Sequence, residues 1–379
     1  MSDKKSIFIC AGDPSADFPG KNLIEEIKRC DSNIDIFGLG GPIMQEAGLS
    51  SLADYKKLAV LGFWEIIPQV FFFRKLLKQA VIKIENSNPM AVILIDYPGF
   101  NLRLARRIKH LGIPIIYYIS PQVWAWGKKR LAQIKYLVDL MLVIFPFEEE
   151  FYRRHQIPVK FVGHPIIDRY QDFPDAETCR DKLKIESGKK LIALLPGSRI
   201  QEVKRMLPVM IESAKRLSHY ESHPEFIVAG VDNVPRSIYD NIISGSEIRM
   251  IIGQTPEIIN AADLVITSSG TATVEIAYFG TPMVVIYKTG VLTFRIAKWL
   301  ISLDSIAMVN IIAGRKIVPE LIQDDASVAN ITREAISFLS DNEKYNRTVK
   351  DLNAVQIKLG EGDSGRRTVE AINEIISIC

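Results

Sequence analysis

The sequence predicts an α/β protein built as two doubly wound, Rossmann-like lobes. Short continuous apolar runs alternate with amphipathic stretches, the βαβ rhythm of a parallel sheet buried on both faces. That rhythm stops in a polar, charged stretch around Asp172 to Lys190 and then restarts. The 379 residues are enough for two separate cores.

Taken in order, Ser6 to Cys10 reads as a first buried strand, followed by a loop and a helix from about Gly20. Ala91 to Ile95 is a strand, Leu102 to His110 a helix with arginines on its outer side, and Ile115 to Ile119 and Leu140 to Phe145 further strands. After the boundary, strands are expected at Leu191 to Leu195, Phe226 to Ala229, Arg249 to Ile252, Leu264 to Ile266 and Met283 to Ile286. Beyond Pro319 the pattern reads as helical to the end, with Glu361-Gly362-Asp363-Ser364 breaking the last two helices. The lobes are placed at residues 1–172 and 173–363, with the terminal helix 364–379 packing back on the first.

Composition narrows the function. Hydrophobic residues make up 47% and charged residues 24%, which is ordinary globular usage, and the net charge of +3 makes no case for a nucleic-acid partner. Lys4 to Ala11 mimics a signal peptide, but its apolar run is short and Asp13 and Asp17 follow at once. No stretch reaches the ~18 apolar residues of a spanning helix. Cys10, Cys30, Cys179 and Cys379 show neither CxxC nor zinc spacing and read as reduced thiols of a cytoplasmic protein. His219 and His223 share a helical spacing without an acidic or cysteine partner nearby, so no metal is expected.

The chemistry concentrates where strands end. Leu264 to Ile266 runs into Ser268-Ser269-Gly270-Thr271 and then a helix carrying Glu275 one turn in. Gly270 permits close backbone approach, the Ser269 and Thr271 hydroxyls can donate, a helix start suits phosphate, and a carboxylate at Glu275 can accept from two ribose hydroxyls. An ordinary capped turn reads the same way; there is no lysine, so this is not a P-loop. Gly197-Ser198-Arg199 closes another strand of this lobe, and Arg199 there can pair with a diphosphate and stabilise it as a leaving group. Its plainer alternative is a surface arginine beside Glu202.

In the first lobe, the loop Gly12-Asp13-Pro14-Ser15-Ala16-Asp17 has carboxylates where a dinucleotide pyrophosphate would sit, which disfavours a dehydrogenase; it suits sugar hydroxyls, or is a turn whose aspartates cap the following helix. Asp96 ends a buried strand, where a lone carboxylate can act as general base for a hydroxyl nucleophile or merely cap a helix. Trp124 and Trp126 line a sugar or acyl site or pack in the core. The segment from Phe63 and Trp64 through Val70, Phe71, Phe72 and Phe73 to Lys78 is aromatic and then basic, as in an interfacial helix, though a buried helix reads similarly.

These stretches in order resemble the lipid-A-disaccharide synthase family of bacterial glycosyltransferases along nearly the whole chain. The marks are Ala11-Gly12…Ser15…Asp17…Gly20, Gly38 to Pro42, Ala59 to Gly62, Ile95-Asp96-Tyr97-Pro98-Gly99-Phe100-Asn101, and Ser120 to Trp126. They continue with Phe145-Pro146-Phe147-Glu148, Val162-Gly163-His164-Pro165, Leu195 to Arg199, Ser269-Gly270-Thr271…Glu275, and Asn310…Ala313-Gly314-Arg315…Val318-Pro319-Glu320.

The resemblance implies a GT-B fold with an active-site cleft between the lobes. It implies inverting, metal-free and cofactor-free transfer of 2,3-diacylglucosamine from its UDP donor to the 6-hydroxyl of 2,3-diacylglucosamine 1-phosphate (lipid X). Asp96 would be the base; Gly197, Ser198, Arg199, Ser269, Gly270, Thr271, Glu275 and Asn310 would bind the donor; Asp13, Ser15, Asp17, Asn101 and Trp124 would serve the acceptor. Phe63, Trp64, Val70 and Phe71 to Phe73 would meet acyl chains at the inner face of the inner membrane, and a homodimer is compatible with this. The family's first loop usually reads Gly-Glu-x-Ser-Gly-Asp; here Asp13 is a methylene shorter and Ala16 replaces glycine. The alternatives are another GT-B enzyme acting on UDP-N-acetylglucosamine and a nucleotide-sugar-binding protein without catalysis.

Overall fold

The computed structural model describes residues 5–53, 66–126, 128–220, 223–289 and 305–379, with the side chains of 66–71, 125, 126, 128 and 129 outside that description. The expected contacts of Phe63, Trp64, Val70, Phe71 and Trp126 therefore lie outside the described residues. The chain divides into two compact units, Met1–Gln171 with Leu359–Cys379, and Asp172–Lys358.

The first unit holds a parallel seven-stranded sheet in the order β3-β2-β1-β4-β5-β6-β7. Its strands are β1 (Ser6–Ala11), β2 (Asp35–Leu39), β3 (Ser50–Ser51), β4 (Ala91–Ile95), β5 (Ile115–Tyr118), β6 (Leu140–Val143) and β7 (Val159–Phe161). The run Ala-Val-Ile-Leu-Ile of β4 is wholly buried, as a central strand covered on both faces must be. Helices α1 (Asp17–Cys30), α2 (Ile66–Ser87), α3 (Pro98–Ile108) and α4 (Pro146–Arg154) contribute its covering layers. In α1 the buried residues Leu23, Ile24 and Ile27 fall on one stripe at helical spacing.

The second unit has a parallel six-stranded sheet in the order β10-β9-β8-β11-β12-β13. Its strands are β8 (Leu191–Leu195), β9 (Glu225–Gly230), β10 (Arg249–Ile252), β11 (Leu264–Ser268), β12 (Met283–Tyr287) and β13 (Glu320–Ile322). The helices that matter for the site are α5 (Ile200–Leu217), α6 (Ala272–Tyr278) and α7 (Met308–Ala313). The expectation of continuous helix after Pro319 is corrected by β13, which pairs with β12 through Glu320 to Ile322.

The terminal helix α8 (Ser364–Asn373) belongs to the first unit, where Asp168 Oδ2 accepts from the Ser364 backbone N–H at 2.9 Å and from its hydroxyl. The reading of all four cysteines as reduced thiols is also corrected. Cys30, at the end of α1, and Cys379 form a disulfide that spans 349 residues of sequence, whereas Cys10 and Cys179 are free and buried. The distant spacing of the pair in sequence concealed a Cα–Cα separation of 4.9 Å.

Candidate active site

Each sheet changes direction once in its strand order, between β1 and β4 in the first unit and between β8 and β11 in the second. At such a point the loops leaving neighbouring strands diverge and open a crevice beyond the carboxyl ends of the sheet, where α/β folds bind ligands. The candidate residues leave these four strands: Gly12 to Asp17 after β1, Asp96 to Asn101 after β4, Gly197 to Arg199 after β8, and Ser269 to Glu275 after β11.

In the first unit, Ala11 pairs with Ile95, so the two loops start side by side. They touch closely: a Cβ on Gly12 would lie 2.3 Å from the Tyr97 ring. Asp13 caps the turn after β1, its Oδ1 accepting from the Ser15 N–H at 3.0 Å and the Ser15 hydroxyl at 2.7 Å. Ala16 has φ −84°, an ordinary right-handed value, so the alanine in place of the family's glycine is unstrained.

Asp96 and Tyr97 both take left-handed backbone, with φ of 46° and 48°. Non-glycine residues pay about 1–2 kcal/mol each for that conformation. Asp96 is half-buried, and burial together with the negative charge of Asp13 raises its carboxyl to about 6. A carboxylate so tuned is basic enough to take a proton from a hydroxyl and still largely ionised at neutral pH. Phe73 packs against Tyr97 and Phe100 with ring centroids 6.3 Å away in each case, so two of the aromatics expected at the acyl site, Phe72 and Phe73, lean on the core beside this turn.

Some expected ligand residues are held by the protein itself. Asp17 is buried, and its carboxylate accepts from the Ile43 and Met44 N–H groups at 3.3 and 3.2 Å, capping the short helix Pro42–Glu46. Asn101 is fully buried and turns its amide N–H donors toward backbone carbonyls of Cys10, Ile95 and Asp96. Trp124 is half-buried, its indole N–H donating to Glu148 Oε1 at 3.1 Å and its ring edge-on to Phe147.

Glu148 itself was not singled out by residue chemistry, although it stands in the Phe145-Pro146-Phe147-Glu148 stretch. It is buried in the first turn of α4, accepts from the Ser120 hydroxyl at 3.0 Å, and has no partner for Oε2. Burial raises its carboxyl to about 7 despite the hydrogen bonds from Trp124 and Ser120.

In the second unit, Gly197 has φ 108°, and a Cβ there would lie 2.5 Å from Glu202 Oε2 and 3.1 Å from Ser268 Oγ. Only glycine fits that turn. Glu202 Oε2 accepts from the Ser198 and Arg199 N–H groups at 3.1 and 3.3 Å, and the exposed Arg199 guanidinium pairs with Glu202 Oε1 at 3.3 Å. Both the plain reading of Arg199 and its availability to a ligand are thus visible: the pair is surface-exposed and held by little.

Gly270 and Thr271 are exposed, nothing lies within 4 Å of a Cβ placed on Gly270, and Glu275 sits one turn into α6. Helix α6 has seven residues, so the dipole behind this turn is short, and hydroxyls and backbone amides carry more of the polarity. The Ser269 hydroxyl donates to the Ile306 carbonyl at 3.1 Å.

Asn310 is buried and all its hydrogen-bonding capacity is used. Its Nδ2 donates to Val318 O and Glu320 Oε1, and its Oδ1 accepts from Ile317 and Val318 N–H. Glu320 in turn accepts from the Ile306 and Ala307 N–H groups. Asn310 is therefore linked to Ser269 through Glu320 and the Ile306 backbone. Among the described residues no cluster of histidine, cysteine and carboxylate could hold a metal ion, and no helix is long and apolar enough to cross a membrane.

Two parallel sheets with polar loops at their switch points define a class, the α/β proteins of GT-B-like fold. A putative UDP-N-acetylglucosamine 2-epimerase from Listeria monocytogenes superposes with a TM-score of 0.67, at 13% identity over 99% of this chain and 97% of its own. CalG4, the calicheamicin glycosyltransferase, does so with a TM-score of 0.60, at 13% identity over the whole of both chains. At that identity the likeness is one of fold. Sequence goes further: the chain belongs to the lipid-A-disaccharide synthetase family, whose sequence model matches residues 7–376. The lipid-A-disaccharide synthase of Anaeromyxobacter sp. strain K is 38% identical over 369 residues, 97% of this chain and 96% of the relative. Membership makes the protein a glycosyltransferase of lipid A biosynthesis.

Proposed function

We propose that the donor is UDP-2,3-diacylglucosamine, that the acceptor is 2,3-diacylglucosamine 1-phosphate, and that Asp96 is the base of an inverting transfer. The acceptor's 6-hydroxyl oxygen attacks the anomeric carbon of the donor. The bond from that carbon to the diphosphate oxygen breaks, UDP leaves with the electron pair, and the hydroxyl proton passes to Asp96. The first unit serves the acceptor through Asp13, Ser15 and Trp124. The second serves the donor: Gly197 to Arg199 and Ser269 to Thr271 meet the diphosphate, and Glu275 meets the ribose. Arg199 stabilises the leaving charge after exchanging Glu202 for the diphosphate.

The single observation that carries the reading is Asp96 at the β1/β4 switch point with its carboxyl raised to about 6. Both substrates carry acyl chains, so the protein works peripherally at the cytoplasmic face of the inner membrane, with the aromatic stretch ahead of Phe72 meeting lipid. Purified protein given both lipids is expected to release UDP and form a disaccharide of the summed mass less UDP. UDP-N-acetylglucosamine turnover in place of the acylated donor would overturn the substrate assignment.

A further inference from the structure

Asp96 stands on backbone that an aspartate does not choose by itself. It and Tyr97 are consecutive left-handed residues directly before Pro98, and no glycine relieves either position. Two buried side chains grip the turn from below. The Tyr117 hydroxyl, from β5, donates to the Asp96 carbonyl at 2.6 Å. The Asn101 amide, from the first turn of α3, donates to the same carbonyl at 2.7 Å, and its Nδ2 also lies 3.2 Å from Ile95 O and 3.3 Å from Cys10 O. The Asp96 N–H is fixed too, donating to Tyr118 O at 2.9 Å. Both peptide groups of Asp96 are therefore tied to β5, and Asn101 ties the end of β4 to the end of β1, the strand whose following loop carries Asp13.

We infer that Tyr117 and Asn101 are positioning residues for the transfer: by holding the Asp96 carbonyl they keep the turn left-handed and the Asp96 carboxylate aimed at the acceptor hydroxyl. This rests on Asp96 being the base. It reassigns Asn101, whose sequence position after β4 suggests substrate contact, to a role beneath the site. A strained turn relaxes when its restraint goes, and a relaxed turn moves the carboxylate off line and toward water. The ionisable groups around Asp96 are Asp13 on the β1 loop, Tyr97 beside it, Tyr117 on β5 and Cys10 on β1.

The test is Tyr117→Phe, which removes one hydroxyl and no ring. Its control is Tyr118→Phe, an equally buried tyrosine one residue along β5 whose hydroxyl faces Ser364 and Thr368 and whose backbone carbonyl, the partner of the Asp96 N–H, the substitution leaves in place. Tyr117→Phe is expected to lower kcat roughly tenfold, the size of one lost hydrogen bond, with KM for both lipids within about twofold of wild type. The acid limb of its kcat–pH profile should move to lower pH as Asp96 gains hydration. Tyr118→Phe should leave kcat and the limb in place. In an Asp96→Asn background Tyr117→Phe should cost nothing further. A Tyr117→Phe enzyme with wild-type kcat and acid limb overturns the clamp while Asp96→Asn remains inactive. So does a fully additive double variant. Near-normal turnover by Asp96→Asn alone overturns the base reading instead.

Discussion

Glu148 gives a stability prediction whose size follows from its surroundings. Its ordinary carboxyl value of 4.5 is lifted to about 7, first by burial, with Trp124 and Ser120 pulling the other way. The folded chain thus keeps this proton up to about pH 7, whereas the unfolded chain loses it near 4.5. Between those values the native state binds the extra proton, so this residue makes stability fall as pH rises, with the full cost reached above about 7. At about 1.4 kcal/mol per tenfold change in proton affinity, that cost is on the order of 3 kcal/mol. Glu148→Gln is neutral at every pH and keeps an oxygen for the Ser120 and Trp124 donors, but it places an amide N–H where Oε2 has no partner. That orphan donor costs about 1–3 kcal/mol at all pH values alike. The pH-dependent part emerges by difference. Relative to wild type, the variant should gain roughly 3 kcal/mol between pH 5 and pH 8, or roughly 6–12 °C in Tm for a unit of this size. Calorimetry at both pH values reads it. An equal Tm difference at pH 5 and pH 8 would refute the assignment of a native-state proton to Glu148.

Two more expectations follow from the same surroundings. Asp13→Asn removes the negative charge that helps hold Asp96 up, so the acid limb of the kcat–pH profile should shift below about 6; a limb that stays put or rises would show that Asp13 does not act on Asp96. Cys30→Ser opens the Cys30–Cys379 link between α1 and the chain end, and should lower stability by roughly 2–4 kcal/mol under oxidising conditions while changing little under reductant; equal melting of variant and wild type in both would contradict the disulfide.

The sequence was most readable where a strand is buried on both faces. Ala91 to Ile95 and Leu191 to Leu195 are uninterrupted apolar runs, and the structure bounds them at the same residues. It was least readable at sheet edges. Strand β13 is three residues after a proline, too short for any period to show, and the helical pattern downstream swallowed it. Strand β2, one in from the edge strand β3, contains Gly38, where any Cβ would meet the Ile9 carbonyl, and a glycine weakens the apolar run that marks a strand.

The site divides in the same way. Its position was legible, because small and charged residues directly after apolar runs mark carboxyl ends of strands. The orientation of individual polar side chains was not. Asp17, Asn101 and Asn310 stand among ligand-type residues, but Asp17 and Asn101 bond backbone groups that the fold brings from distant segments, and Asn310 bonds the nearby Ile317, Val318 and Glu320. Nothing in the local sequence distinguishes an amide that faces a sugar from one that faces a carbonyl 91 residues away. Glu148 was hidden for the opposite reason: it heads an ordinary-looking acidic helix start, Glu148-Glu149-Glu150, and only packing separates the buried first member from its solvated neighbours.

The central claim is that Asp96 takes the proton of the acceptor hydroxyl. Asp96→Asn keeps the shape of the turn and its backbone bonds to Tyr117 and Asn101, and removes only the basic oxygen. Disaccharide formation should fall by about a hundredfold or more, as for loss of a general base, while affinity for UDP-2,3-diacylglucosamine stays at the wild-type value. Turnover within a few-fold of wild type, with the donor bound equally well, would contradict it.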